Sequence, residues 1–274
     1  MTAPIPLRPS RAAIWGRRLA LYFLLLMLLT AGLHYFSPLG TKAAINLLAV
    51  SFAGLAISVS LTLVGLIRIW RGDRRGSSDP VFALLFAAIG LAPFLWFGAQ
   101  AVQLPSLTQA ATTPERPIRI KDLSVRPDDA NPIKAPSEDA IAAQREAYPN
   151  IRPLVLERSA AESFALVREA MRRLNWDIVT MEQPVQNSLG YIQAESHTLV
   201  MGFTDDVAVE VVGDAATATI DVRSISRYGN HDIGTNAARI DALFDEVREG
   251  IRKGEQPVLE AEPGVPFPTR KTPR

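Results

Sequence analysis

The chain of 274 residues contains no cysteine. This absence excludes disulfide bonds, thiolate nucleophiles and zinc or iron–sulfur sites built on cysteine ligands. Because cysteine-free proteins occur in both oxidising and reducing compartments, the absence does not locate the protein in the cell. The sequence also lacks a nucleophile elbow, a P-loop and a dinucleotide-binding fingerprint, so it offers no short motif that would assign an enzyme class.

Asp, Glu, Lys and Arg are absent from three long apolar stretches, Leu19–Phe36, Ala43–Ile67 and Val81–Gln103. A helix needs roughly 20 residues to cross the hydrocarbon core, and backbone that faces lipid must be helical. The sequence therefore predicts transmembrane helices at 19–36, 43–67 and 81–103. Charged residues inside a span mark ion and proton paths, so their absence favours a membrane anchor over a pump or transporter.

Arginine clusters flank these stretches unevenly. Four arginines precede the first stretch and four lie between the second and third, whereas the turn between the first and second contains only Lys42. The clustered residues are Arg8, Arg11, Arg17, Arg18, Arg68, Arg71, Arg74 and Arg75. Because basic segments stay in the cytoplasm, we expect residues 1–18 to be the cytoplasmic N-terminus of a multi-pass inner-membrane protein. Residues 104–274 are then periplasmic.

Basic residues are in the minority after the predicted spans. Residues 106–274 hold 20 Lys and Arg against 26 Asp and Glu, a net charge of −6. An acidic domain is a poor electrostatic match for nucleic acid or for anionic lipid headgroups. We therefore expect no nucleic-acid partner. No ligand spacing typical of a metal site and no cofactor motif appears in the sequence, so we also expect no metal and no cofactor. The expected partners are the lipid bilayer and another cell-envelope protein or lipid.

Prolines concentrate in the segments 104–150 and 254–274. The first segment is predicted to be a linker or an arm that wraps the domain, and the second to be a disordered tail. The residues between them, 151–253, show the regular apolar spacing that is typical of a compact soluble domain.

The pattern within 151–253 predicts an α+β domain. A capping box from Ser159 to Glu162 opens an apolar helical stripe, and a last helix begins near Thr235 or Asn236. Short alternating stretches predict strands at Leu154–Leu156, Trp176–Met181, Gly190–Thr198, Val207–Val211 and Thr217–Arg223. The order β-α-β-β-β-β-α favours an antiparallel sheet with both helices on its apolar face and the other, polar face free.

Several stretches of this region resemble one bacterial family. The most specific is the pattern Ser-Arg-x-Gly-x-x-Asp-x-Gly-x-Asn-x-x-Arg from Ser226 to Arg239. Looser matches are Gly202–Val207, Tyr191–Glu195, Ile120–Leu123 and Pro127–Asp129. Together they resemble the domain-of-unknown-function 1499 family over about residues 115–252, although that family usually carries a His where Lys121 stands. The resemblance implies a shared fold and a membrane or envelope setting, and it implies no activity.

The loop before the last predicted helix is a candidate ligand site. A loop that enters a helix N-terminus offers unpaired amides and a positive dipole end, and arginines can add bidentate contacts to an anion. The candidate residues are Ser224, Ser226, Arg227, Asn230, Asp232, Asn236 and Arg239. The alternative is structural: Asp232 caps the helix, Gly229 and Gly234 adopt positive φ, and the arginines brace the loop against Asp205 or Asp206.

The polar sheet face carries a second set of candidates: Tyr191, Glu195, His197, Asp205, Asp206 and Arg223. Acid–base catalysis by Glu195, His197 and Asp221 requires these groups to meet in a cleft. A metal site would draw on carboxylates and imidazoles of a partly different set: Asp205, Asp206, Glu195, His197, His231 and Asp232. However, neighbours on a strand point to opposite faces, so Asp205 and Asp206 cannot both point inward, and an exposed polar face carries such residues without any function.

Two function hypotheses follow. The first is a non-enzymatic periplasmic domain, tethered to the membrane, that binds or scaffolds another envelope component. The second is a membrane-anchored hydrolase or transferase that acts through the polar sheet face. Convergence of the polar-face candidates in one enclosed pocket would favour the enzyme. Engagement of the same side chains in salt bridges would favour binding or scaffolding.

Overall fold

A computed structural model describes residues 8–36, 39–72, 78–184, 189–198 and 201–254. The chain divides into two compact units. The helical unit comprises Met1–Ser106 and His197–Thr204, and the sheet unit comprises Leu107–Ser196 and Asp205–Arg274. Residues 1–7, Arg74, Arg75 and the tail from 255 to 274, about which the sequence made predictions, lie outside the described residues.

The helical unit contains three helices that are long and apolar enough to cross a membrane. They are α1 (Arg11–Phe36), α2 (Thr41–Trp70) and α3 (Ser78–Gln103). Each predicted span lies inside one of them, so the prediction of long apolar helices is confirmed. The helices begin or end several residues beyond the apolar stretches because the polar and basic flanks continue the helical backbone.

Small residues allow close approach between these helices. Gly54, Ser58 and Thr62 follow one face of α2 and are buried. A Cβ atom at Gly54 would overlap the ring of Phe23 on α1. The hydroxyls of Ser58 and Thr62 donate to carbonyls one turn earlier in α2, at 2.7 Å in both cases. The row therefore lies at a helix interface, which is the role that small residues have in membrane bundles.

The sheet unit is an α+β domain, as predicted. Its elements are β1 (Gln109–Ala111), α4 (Glu138–Ala147), β2 (Leu154–Leu156), α5 (Ala160–Arg173), β3 (Asp177–Glu182), β4 (Gly190–His197), β5 (Thr204–Gly213), β6 (Ala218–Ser226) and α6 (Thr235–Arg252). The strand order is β1-β6-β5-β4-β3, and β2 also pairs with β6. Antiparallel registers join β6 to β1, β2 and β5, and β3 to β4.

The main core lies between one sheet face and the helices α5 and α6. Alternate residues of β5, including Val207 and Val209, point into it together with Phe164 of α5 and Leu243 of α6. The predicted capping box starts α5: Ser159 Oγ accepts from the Glu162 amide, and the Glu162 carboxylate accepts from the Ser159 amide. These two bonds satisfy amides at the helix start that would otherwise lack partners.

The second face of the sheet is covered, and the prediction that it is free was wrong. Residues 116–134, which we call the covering segment, lie over it. Ile118 and Ile120 of this segment form a second apolar cluster with Tyr191, Ala208 and Ile225 of the sheet. The alternation pattern missed this cover because polar neighbours along the strands hide the apolar strip.

The proline-rich segment 104–150 belongs to the sheet unit from Leu107 onward. It supplies β1 and α4, two elements that the sequence did not predict. The side chain of Gln144 on α4 is buried and exchanges two hydrogen bonds with the backbone of Ala111 on β1. The compact unit therefore begins before residue 151, because proline restricts the backbone without preventing burial of its neighbours.

Candidate functional site

One polar cluster lies between the end of the sheet and the start of α6. We call it the helix-face cluster. Its members are Ser196, Asp205, Ser224, Ser226, Asp232, Asn236 and Arg239, and all of them are buried. The predicted candidates Ser224, Ser226, Asp232, Asn236 and Arg239 thus lie together, whereas Arg227 and Asn230 do not belong to this cluster.

Arg239 of α6 is the centre of the helix-face cluster. Its Nη2 donates to Asp205 Oδ2 at 2.7 Å, and its Nε donates to Ser196 Oγ at 3.0 Å. Its Nη1 donates to Ser224 Oγ at 2.7 Å and to Asn236 Oδ1 at 2.8 Å. Burial raises the pKa of the Asp205 carboxyl, and the Arg239 guanidinium acts in the opposite direction. The guanidinium is therefore engaged by protein acceptors on every nitrogen.

The start of α6 is held by the loop in front of it. Asp232 accepts from the amide of Gly234 at 3.0 Å and from the amide of Asn236 at 3.2 Å. Gly234 is the N-cap with φ 78°, and Gly229 has φ 84°. Ile233 has φ 47°, which is strained for a β-branched residue. These observations match the structural alternative, because the Asp232 carboxylate accepts from the amides at the helix start and both glycines adopt positive φ.

A second polar cluster lies on the opposite sheet face, under the covering segment. We call it the cover-face cluster: Arg126, Glu195, Asp206 and Arg227. Arg227 Nη2 donates to Asp206 Oδ1 at 2.6 Å and to Glu195 Oε1 at 2.7 Å. Arg126 of the covering segment forms a further ion pair with Asp206. The Asp206 side chain is fully buried, so two guanidinium groups replace the water that its charge has lost.

Asp205 and Asp206 point to opposite faces of the sheet, as the strand geometry predicted. Each is held by a different arginine, Asp205 by Arg239 and Asp206 by Arg227. A metal site that drew on both carboxylates would require them on one side. The described geometry instead gives each carboxylate a structural ion pair.

Tyr191, predicted as a polar-face candidate, is buried under the covering segment. Its hydroxyl lies 2.9 Å from the Arg119 carbonyl oxygen and accepts from the Lys121 amide at 3.2 Å. Burial raises the pKa of Tyr191 to about 12. Gln193, which is also buried, accepts from the amides of Lys121 and Asp122 at 3.0 and 2.9 Å. These side chains act as fixed partners for the backbone of the covering segment.

Arg223 is the remaining buried arginine on this face, and its surroundings differ. Its guanidinium donates to Gln109 Oε1, to the Ile118 carbonyl at 2.7 Å and to the Lys134 carbonyl at 2.9 Å. All of these acceptors are neutral. Burial lowers the pKa of Arg223 to about 10. No carboxylate among the described residues forms an ion pair with it.

Two predicted residues lie at the margins. His197 is the last residue of β4 and is exposed, and its Nδ1 lies 3.0 Å from Thr204 Oγ1. Asn230 is exposed in the loop before α6.

Four side chains of the two clusters and their surroundings were not predicted: Gln109, Arg126, Gln193 and Ser196. Gln193 lies within the stretch Tyr191–Glu195 that carries the family resemblance. It lies two residues from both Tyr191 and Glu195 on β4, so all three side chains point to the same sheet face. This spacing is the signal that identifies Gln193.

The sequence pattern of a family described as a protein of unknown function, DUF1499, matches residues 111–247. This match spans half of the chain. The chain belongs to the DUF1499 family. The matched residues of this DUF1499 chain begin in β1 and end in α6, so they include the covering segment and both polar clusters. No curated protein matches the chain.

Proposed function

We propose that this DUF1499 protein is a multi-pass inner-membrane protein whose sheet unit lies in the periplasm and binds or scaffolds another envelope component without catalysis. The observation that carries the non-catalytic role is the ion pairing of the candidate carboxylates with arginines. Glu195, Asp205 and Asp206 are all engaged by arginines, at 2.6 to 2.7 Å. Carboxylates fixed in this way support a braced binding domain more than a proton-transfer site.

The proposed orientation is supported by the charges of the helical unit. Arg17, near the start of α1, forms an ion pair of 3.0 Å with Asp79 at the start of α3. These two helix starts therefore lie at one end of the bundle. Arg68 and Arg71 lie at the end of α2, which directly precedes α3 in the chain, and they add positive charge near the start of α3. Such a basic end is typical of the cytoplasmic side.

The orientation is tested with reporters fused after Arg274. A reporter that is active only outside the cytosol should give a signal, and a reporter that is active only in the cytosol should give none. Activity of the cytosolic reporter alone would contradict the orientation. Extraction of the intact chain from membranes by salt or alkali, without detergent, would contradict the membrane anchor itself.

The binding role is tested by isolating the full chain in a mild detergent and identifying the co-purified proteins and lipids by mass spectrometry. Residues 1–106 alone serve as the control, because they keep the anchor and lack the sheet unit. A partner recovered only with the full chain supports the proposal. Turnover of such a component by the purified chain, abolished by Glu195→Gln, would support the hydrolase or transferase hypothesis instead.

A further inference from the structure

Arg223 carries a buried positive charge that the described part of the protein does not neutralise. The residue is 3% exposed. Its hydrogen bonds go to one side-chain amide, Gln109 Oε1, and to the backbone carbonyls of Ile118 and Lys134. Arg126, Arg227 and Arg239 each pair with a carboxylate. A buried ion normally requires a counter-charge, so Arg223 is the exception among these arginines.

A cavity of about 190 Å³ lies beside this arginine. Its lining includes Gln109 and Lys134, two of the three residues that accept hydrogen bonds from the Arg223 guanidinium, and Thr108, Asn131, Ser226 and Asn230 among others. The lining contains one base, Lys134, and no acid. One positive charge, that of the exposed Lys134, belongs to the lining. A second, that of the buried Arg223, lies outside the lining and is hydrogen-bonded to Gln109.

The volume restricts what the cavity accepts. Pockets for drug-sized molecules measure about 300–1,000 Å³, so a cavity of about 190 Å³ suits a single small group. A larger cavity, of about 420 Å³, is lined by Glu115, Arg145 and Arg152 among others. There Arg145 already forms an ion pair with Glu115. One of the two arginines of the larger cavity thus has a counter-charge in the lining, whereas the single base of the smaller cavity has none.

We propose that the cavity between β1, β6 and residues 131–134 binds a small soluble oxyanion, of which phosphate is the type. Lys134 contacts the anion directly through its ammonium group, and Thr108 offers a hydroxyl. Arg223 supplies the buried counter-charge through Gln109. The cavity suits a single small group, so we assign it to a free anion and not to a lipid headgroup, whose phosphate carries further groups. This inference deepens the proposed binding function and rests on it.

The test is a titration of the full chain, purified in a non-ionic detergent, with inorganic phosphate at constant ionic strength set by chloride. Calorimetry measures the affinity, and the melting temperature is recorded with and without phosphate. The parent should show saturable binding and a higher melting temperature in phosphate. Lys134→Gln should weaken binding about tenfold or more, because it removes a charge-assisted hydrogen bond.

Arg119→Gln is the matched control. Arg119 is an exposed base of the covering segment outside the cavity, so its loss removes the same net charge and should change the affinity by less than about twofold. An equal loss in both variants would overturn the site and leave only general charge attraction. Absence of saturable binding by the parent would overturn it as well.

Gln109→Glu tests the buried charge separately. The new carboxylate would stand at the position of Gln109 Oε1, which is 3.0 Å from Arg223 Nε, and would replace the anion as counter-charge. We expect phosphate binding to be abolished in a variant that still melts cooperatively. A folded variant that binds phosphate as the parent does would contradict the role of Arg223.

A lipid arm distinguishes the source of the anion. In nanodiscs of phosphatidylcholine and of phosphatidylglycerol, phosphate should bind with similar affinity. A lower affinity for phosphate in phosphatidylglycerol discs would mean that the lipid headgroup competes for the site. If Lys134→Gln removed this difference between the two discs, the assignment to a free anion would be overturned. All of these measurements use isolated protein, so their failure would leave the orientation and the partner experiments unaffected.

Discussion

The two faces of the sheet are closed by different interactions. On the helix face, α5 and α6 bury a continuous apolar core, and the polar cluster around Arg239 lies only at one end of it. On the cover face, a segment without regular structure packs through few apolar side chains and many hydrogen bonds to buried Tyr191, Gln193, Arg223 and Arg227. Apolar burial can hold a helix by area alone, whereas an irregular segment must satisfy each backbone group individually.

This comparison predicts that the same type of change acts differently on the two faces. The largest effect is expected for Arg239→Ala on the helix face. It leaves the Asp205 carboxylate buried without a cationic partner, although the Arg227 amide still donates to it at 3.2 Å, and we expect a loss of about 3–5 kcal/mol. Chemical denaturation of the full chain in detergent measures it. A loss below about 1 kcal/mol would show that the cluster does not stabilise the fold.

Arg227→Ala on the cover face should cost less, about 3 kcal/mol, because Arg126 continues to pair with Asp206. The loop before α6 and the covering segment should become more sensitive to protease, since Arg227 also contacts the Val125 carbonyl. Arg116→Ala, an exposed arginine of the covering segment, is the control. Unchanged melting temperature and protease resistance in Arg227→Ala would remove the bracing role.

The third prediction concerns pH and isolates the cover face. The pKa of Tyr191 is raised to about 12, so the folded chain keeps this proton between pH 10 and 12 while the unfolded chain loses it. Stability should therefore fall with rising pH in this window, by about 2–3 kcal/mol across it. Denaturation at pH 9, 10 and 11 measures the slope. Tyr191→Phe should have a shallower slope, and an identical slope would mean that other groups cause it.

The smallest difference is expected at the caps. Ser159→Ala removes half of the capping box of α5 on the helix face and should cost about 1 kcal/mol. Asp122→Ala removes the exposed acceptor of the Ser124 amide and hydroxyl in the covering segment, where we expect a few tenths of a kcal/mol. The melting temperatures of both variants, each compared with that of the parent, measure the two losses. Equal losses would mean that the covering segment is as tightly coupled to folding as α5.

The sequence was most informative where one periodicity governs a long stretch. The three apolar helices, α5 with its capping box, and the alternation of β4, β5 and β6 were all predicted, because burial of one face repeats every 3.6 or 2 residues. The same alternation correctly separated Asp205 from Asp206. The motif from Ser226 to Arg239 also indicated the family through the order and spacing of its residues alone.

The sequence was least informative where burial is not periodic. β1 is only Gln109–Ala111, and the covering segment contributes isolated residues such as Ile118, Ile120 and Arg126, so neither produces a repeat. The proline content of this region left a linker and a wrapping arm as alternatives. The same limit applied to the candidate sites, because a list of polar residues does not state which of them pair.

The amino-acid sequence by itself determined the division into apolar helices and an acidic α+β domain, since both follow from local composition and spacing. Only the tertiary structure decided on which sheet face each arginine lies and that the second sheet face is covered. It also decided that, among the buried arginines of the described residues, Arg223 alone lacks a carboxylate partner. The physical reason is that ion pairing and cover depend on contacts between residues far apart in the chain: Arg223 and Gln109 are separated by 114 positions.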